Sequence, residues 1–222
     1  MRRLAIALLT TAAGLSLFAG GVSAQDDQGG DDPTPDTVVT PGGATIAPVD
    51  VLQVSGFMDD ILVAEIRDAI ERADDSGAQA LILQVNSDGT VVDDSVVEAL
   101  LEDIATAPVP IGVWVGPTGS RFYGPAAQML AVADVTGMAP GARVGYFGVP
   151  LSIPSAEIDF GIAEETLRNG SVGLSEARAL DIFRQRINDE GIPTVTSMLQ
   201  AMNGYEELGV TLVTTEQVVT DD

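Results

Sequence analysis

Residues 109–145 read VPIGVWVGPTGSRFYGPAAQMLAVADVTGMAPGARVG. Ile111–Val115 is an apolar run of strand length, residues 122–133 carry the small and apolar side chains of a helix, and Val135–Met138 forms a second apolar run. A strand, a helix and a strand in close succession imply neighbouring parallel strands with the helix on one face. The Pro140-Gly141 pair closes the unit as a turn.

Upstream the same alternation continues. Val51–Val54 predicts a strand. Ile61–Asp75 predicts a helix from its apolar positions Ile61, Ala64, Ile66, Ala69, Ile70 and Ala73, with Asp59 or Asp60 as its cap and Gly77 as its stop. Ala80–Val85 predicts a second strand. Val91–Ala105 predicts a helix with Asp93 and Asp94 in its first turn and Pro108 and Pro110 beyond its end. Downstream, residues 157–168, 174–189 and 194–202 read as helices, and Val210–Val213 as a closing strand. The fold class is therefore α/β, a largely parallel sheet flanked by helices on both faces.

Composition limits the chemistry. The chain has 222 residues, 45% hydrophobic and 19% charged, as expected for one principal globular domain. Its formal charge is -23, so nucleic acid and anionic headgroups are repelled and neither is expected as a partner. Every basic residue is an arginine, and there is no lysine, histidine or cysteine. Disulfides, thiol nucleophiles, imidazole bases and imidazole metal sites are thereby removed. No cofactor is expected.

The N-terminus has the pattern of a secretory signal: Met1-Arg2-Arg3, an apolar stretch from Leu4 to Phe18, and the small-x-small site Val22-Ser23-Ala24. Export follows, to an extracytoplasmic or cell-surface location, with tethering through an uncleaved segment as an alternative. Residues 25–47 are rich in Asp, Gly, Pro and Thr and read as a disordered acidic tether, residues 48–215 as the folded domain, and residues 216–222 as a tail.

Three stretches carry a family resemblance: VLQVSGFMDD with the helix after it, ALILQVNSDG, and the 109–145 segment. Together they resemble the NfeD family of membrane-bound serine proteases, of ClpP class, which implies a ClpP/crotonase-like fold. Pro117, Gly119, Arg121, Asp134, Met138-Ala139-Pro140-Gly141 and Gly145 match that family's pattern without a gap, and LSEARALDIF is similar to a helical segment near its domain end. The resemblance also implies homo-oligomerisation and membrane contact, the latter through the N-terminus or a partner.

The family's catalytic residues are not matched. In this register its nucleophilic serine falls on Gly124, followed by Pro125-Ala126, with Phe122 and Tyr123 before it. The lysine that takes the serine proton has no counterpart in a chain without lysine, and arginine does not give up its proton near neutrality. The family's oxyanion glycines fall on Gly89 and Thr90, with the anionic Asp88 before them. Thr40-Pro41-Gly42-Gly43 spells the family's oxyanion motif but precedes the first strand, and no role is assigned to it. Loss of one member of a nucleophile–base pair costs up to about a million-fold in rate, so loss of both predicts no useful hydrolysis.

Other residues invite functional readings beside plainer ones. Ser120 is a conceivable substitute nucleophile with no base to activate it. Ser87, Asp88, Asp93 and Asp94 could hold a hard cation, or simply cap a helix and solvate a surface. Asp88, Phe122, Tyr123 and Pro125, with Trp114, could line a vacated cleft suited to an apolar peptide, or pack in the core. The leading expectation is an exported, inactive protease homologue that binds or assembles with a membrane protein or an active protease relative. The alternatives are a divergent peptidase with a different catalytic pair, for example with Asp88 as base, and a structural acidic protein with no cleft ligand.

Overall fold

The computed structural model describes residues 47–185, 187–207 and 210–214. The signal segment, most of the tether with its Thr40–Gly43 motif, and the C-terminal tail lie outside the described residues.

The first strand, β1 (Val49–Ser55), leads through a turn into helix α1 (Asp60–Ser76). Asp59 caps α1, its carboxylate accepting a 2.9 Å hydrogen bond from Leu62 N–H. Gly77 ends the helix at φ 69°, a left-handed conformation that glycine adopts without steric cost. Val63, Ile66, Ala69, Ile70 and Ala73 make the buried stripe of α1.

Strand β2 (Ala80–Asn86), helix α2 (Asp94–Ala105) and strand β3 (Ile111–Val115) follow. Residues 91–93 were expected to be helical but lie outside α2. Val91 N–H donates to Met58 O at 2.9 Å, which holds this stretch against the turn after β1, and Asp93 takes the N-cap position.

The largest difference from the sequence reading falls at residues 122–128. Instead of a helix from Phe122, the chain forms strand β4 (Arg121–Tyr123), one 3₁₀ turn (Pro125–Gln128), and a single turn of helix α3 (Met129–Val132). Proline disfavours helical backbone in the residue before it, and Gly124 is accordingly non-helical, at φ 84° and ψ 179°. Aromatic residues suit strands, and Phe122 pairs with Val144 in strand β6 (Arg143–Gly145).

Strand β5 (Val135–Met138) completes a four-stranded parallel sheet in the order β1-β2-β3-β5. The smaller sheet has the order β4-β6-β7, where β7 is Ser171–Gly173. One bridge between Ser87 and Phe122 joins the sheets.

The helical content beyond β6 is lower than expected. Only residues 161–163 (a 3₁₀ turn) and α4 (Glu164–Asn169) form in the first predicted segment, and α5 (Leu174–Ala179) stops ten residues short of the predicted end. Asp181 takes a left-handed conformation at φ 56°. Its N–H and that of Ile182 bond back to Arg178 O and Ala177 O, closing the helix as a glycine stop would. Helix α6 (Val195–Met202) forms as expected, capped by Thr194. The expected closing strand is instead half of a two-stranded hairpin, β8 (Glu206–Glu207) with β9 (Val210–Thr211), separate from the main sheet.

Glycine positions let α6 lie close to the main sheet. A Cβ on Gly112 would come within 3.0 Å of Met202 Sδ, and one on Gly137 within 2.8 Å of Met198 Sδ. Trp114 sits between them, 2% exposed, its indole N–H donating to Ile192 O at 2.8 Å. Period-2 alternation puts Gly112 and Trp114 on this face and Val113 on the other, where right-handed crossovers place α1 and α2.

Candidate functional site

The carboxyl ends of β1 and β2, the 87–91 turn and the Tyr123–Pro125 corner meet at one place. Ser87 is the centre of that junction: its N–H donates to Arg121 O at 2.7 Å, its carbonyl accepts from Tyr123 N–H at 3.1 Å, and its hydroxyl donates to Gly89 O at 3.0 Å. Asn86 Oδ1 accepts from Arg121 N–H at 3.1 Å. Gly89 O accepts from Met58 N–H at 2.9 Å, which ties the same turn to the loop after β1.

These bonds bring together Gly124 and Thr90, two positions that the sequence resemblance singled out. Gly124 lies at φ 84°, ψ 179°, a backbone region almost confined to glycine. A Cβ placed on it would stand 2.9 Å from Thr90 Oγ1 and 3.0 Å from Thr90 N. The Thr90 hydroxyl also accepts a 3.2 Å hydrogen bond from Ala126 N–H, at the start of the 3₁₀ turn. Threonine therefore occupies the space in which a side chain at 124 would project. The Thr90 N–H itself has no acceptor among the described residues.

Several sequence expectations are corrected here. Phe122 and Trp114 are core residues, 0% and 2% exposed, and line no cleft: the Phe122 ring is fully buried in β4, and the Trp114 indole bonds to Ile192 O. The Asp88 carboxylate pairs with the Arg121 guanidinium at 3.1 Å, and both side chains are more than half exposed. Ser87 is fully buried and spends its hydroxyl on the turn, and no cluster of three or more acidic side chains with metal-binding geometry occurs among the described residues. Tyr123 and Pro125 are half-buried beside Gly124.

Ser120 is 3% exposed, and its backbone is engaged by Pro117 O and Arg143 N–H. With no lysine or histidine in the chain, no neutral nitrogen base can reach it. Asp134, one of the family matches, has a structural task. Its Oδ2 accepts from Ile111 N–H at 2.7 Å and its Oδ1 from the Tyr205 hydroxyl at 3.3 Å, fixing the start of β3.

Two aromatic residues at this place were missed in the sequence. Tyr146, half exposed, packs edge-on against Tyr123 with ring centroids 5.2 Å apart, and the Phe57 ring lies against Gly89. The available signal was the flanking glycines, Gly56 and Gly145, which allow sharp turns beside a pairing strand. A separate groove of about 490 Å³, lined by residues that include Phe160, Ile162, Phe183 and Arg184, contains none of these positions.

Comparison with solved structures places this geometry in a known fold. A serine-to-alanine variant of 1510-N, a membrane-bound stomatin-specific protease, superposes with a TM-score of 0.61 at 18% identity, over 78% of this chain and 95% of that one. A lysine-to-alanine variant of the same protease, in complex with a substrate peptide, gives 0.60 at 17% identity, over 77% and 89%. The 1510-N protease specific for a stomatin homologue from Pyrococcus horikoshii gives 0.55 at 15% identity, over 71% and 80%. No family model and no curated protein sequence matches the chain. The chain thus has the ClpP/crotonase-like fold, in the form built by a membrane-bound serine protease. The fold expected from the sequence is the fold observed.

Proposed function

We propose that this chain is an exported, non-hydrolytic relative of the NfeD-type proteases, which uses the protease scaffold to bind or assemble with a membrane protein or an active protease relative. One observation carries the reading. The position on which the resemblance puts the nucleophile is a glycine, and the space a side chain would take there is filled by Thr90, in a chain that has no lysine or histidine to act as base. The scaffold around it is intact, from the Ser87 junction to the Asp134 clasp, which supports retention of a binding surface after loss of the chemistry. The half-buried Tyr123 and the exposed Tyr146 beside it suit an extended apolar peptide. Among the described residues no helix is long and apolar enough to cross a membrane, so membrane contact is assigned to a partner or to the N-terminal segment. Homo-oligomerisation belongs to the same proposal.

The test is incubation of the purified full chain with an apolar peptide library, read by mass spectrometry, alongside a Ser120→Ala variant. No cleavage is expected from either protein. Cleavage that copurifies with the chain and disappears in the variant would overturn the reading and make Ser120 a nucleophile.

A further inference from the structure

On the loop after β1, the first turn of α1 and the 87–91 turn, large apolar side chains are exposed. Phe57 is 58% exposed, Ile61 77% and Val91 64%. Scattered apolar residues on a surface are ordinary, but these stand on two segments bonded to each other. Met58 N–H donates to Gly89 O and Val91 N–H donates to Met58 O, each at 2.9 Å. The Phe57 ring comes within 3.4 Å of a Cβ placed on Gly89, and Ile61 follows in the first turn of α1.

The same two segments carry Asp59, Asp60, Asp88, Asp93 and Asp94, and no basic residue. Asp59 is engaged by Leu62 N–H and Asp88 by Arg121. Asp60, Asp93 and Asp94 have exposed side chains without a hydrogen bond or ion pair among the described residues. An apolar patch rimmed by uncompensated carboxylates selects its partner by charge. A neutral or acidic apolar segment would dry these carboxylates without pairing them.

We propose that this surface docks a basic amphipathic segment of a partner protein, with apolar side chains on Phe57, Ile61 and Val91 and arginine or lysine side chains toward Asp60, Asp93 and Asp94. A second copy of this chain has the wrong chemistry: it carries a charge of -23 and no lysine, and Arg67, Arg72, Arg121, Arg168 and Arg178 are already in ion pairs. The proposal rests on the domain being a binding module and names the class of its partner.

Fluorescence anisotropy of the full chain with fluorescein-labelled synthetic octapeptides tests it, at a salt concentration of about 0.15 M where long-range attraction is screened. The alternating Arg–Leu peptide binds, and the Arg–Ser and Glu–Leu peptides bind at least about tenfold more weakly. Phe57→Ser combined with Val91→Ser weakens Arg–Leu binding by about tenfold or more, since apolar anchors dominate such contacts. Asp93→Asn with Asp94→Asn lowers its salt dependence. Ile162→Ser, at a position 77% exposed on the separate groove, leaves binding unchanged. All these positions are exposed, and Trp114 fluorescence verifies folding. Equal binding of the Arg–Ser peptide, full binding by the Phe57/Val91 variant, or an equal loss in the Ile162 variant would each overturn the proposal. Mass spectra of the titrated peptide separate the two readings: a cleaved peptide counts against the non-hydrolytic function, whereas an intact and unbound one counts against the docking surface.

Discussion

Placing a serine at position 124 tests whether Thr90 fills the side-chain space there. The new Cβ would stand 2.9 Å from Thr90 Oγ1 and 3.0 Å from Thr90 N, distances that real Cβ atoms essentially never or seldom show. Overpacking of this kind costs about 1–3 kcal/mol. The backbone adds a separate cost of about 1–3 kcal/mol, because serine must adopt the glycine conformation at φ 84°. Gly124→Ser is therefore expected to lower stability by roughly 2–6 kcal/mol. Thr90→Ala alone removes the acceptor of Ala126 N–H and costs about 1 kcal/mol. In the double variant the hydroxyl clash is gone while the backbone cost remains. Its destabilisation should fall short of the sum of the single variants by about 1–2 kcal/mol. Urea unfolding followed by the fluorescence of Trp114, the one tryptophan, measures all three variants. Additivity within about 0.5 kcal/mol, or a Gly124→Ser variant as stable as the parent, would show that Thr90 does not occupy this space.

Three further outcomes can be measured in the same way. Gly137→Ala should destabilise by about 1–3 kcal/mol and shift Trp114 emission, since its Cβ meets Met198 Sδ at 2.8 Å and Trp114 Cδ1 at 3.1 Å. Asp134→Ala should cost about 1–3 kcal/mol, read as a lower urea midpoint, because Ile111 N–H and the Tyr205 hydroxyl both lose an acceptor. Asp88→Ala should change stability by less than about 1 kcal/mol and remove any salt sensitivity of the pair with Arg121, which is exposed at both ends.

The parallel core was legible in the sequence because its strands are continuous apolar runs and its helices carry a 3.6-residue stripe. Ile111–Val115 and Val135–Met138 fall where they were read, and α1 has its cap and stop at Asp59 and Gly77. The smaller sheet was not legible. Its strands have three residues each, too few for a period, and the apolar helical pattern after Tyr123 extends backward over β4. Pro125 was the signal that should have moved the helix start forward. The end of α5 was hidden because aspartate, not glycine, takes the left-handed position. At the site, the motif register names Gly124, Gly89 and Thr90, and the structure adds that a Cβ on Gly124 would meet Thr90. The direction of the Asp88 carboxylate was not, because its partner Arg121 is 33 residues away in the chain. Likewise Phe122 is buried in a strand that pairs with Val144 and bridges to Ser87, partners distant in the chain that no local pattern reports.

Ser87 acts as a rivet between the two sheets. With its amide, carbonyl and hydroxyl all engaged, a tilt of the β4-β6-β7 sheet must drag the 87–90 turn along, and through Met58 the loop that carries Phe57. Force applied at the Tyr123–Pro125 corner is thereby conveyed to the loop that carries Phe57, and amide protons at Ser87 and Tyr123 should exchange together when the two segments part.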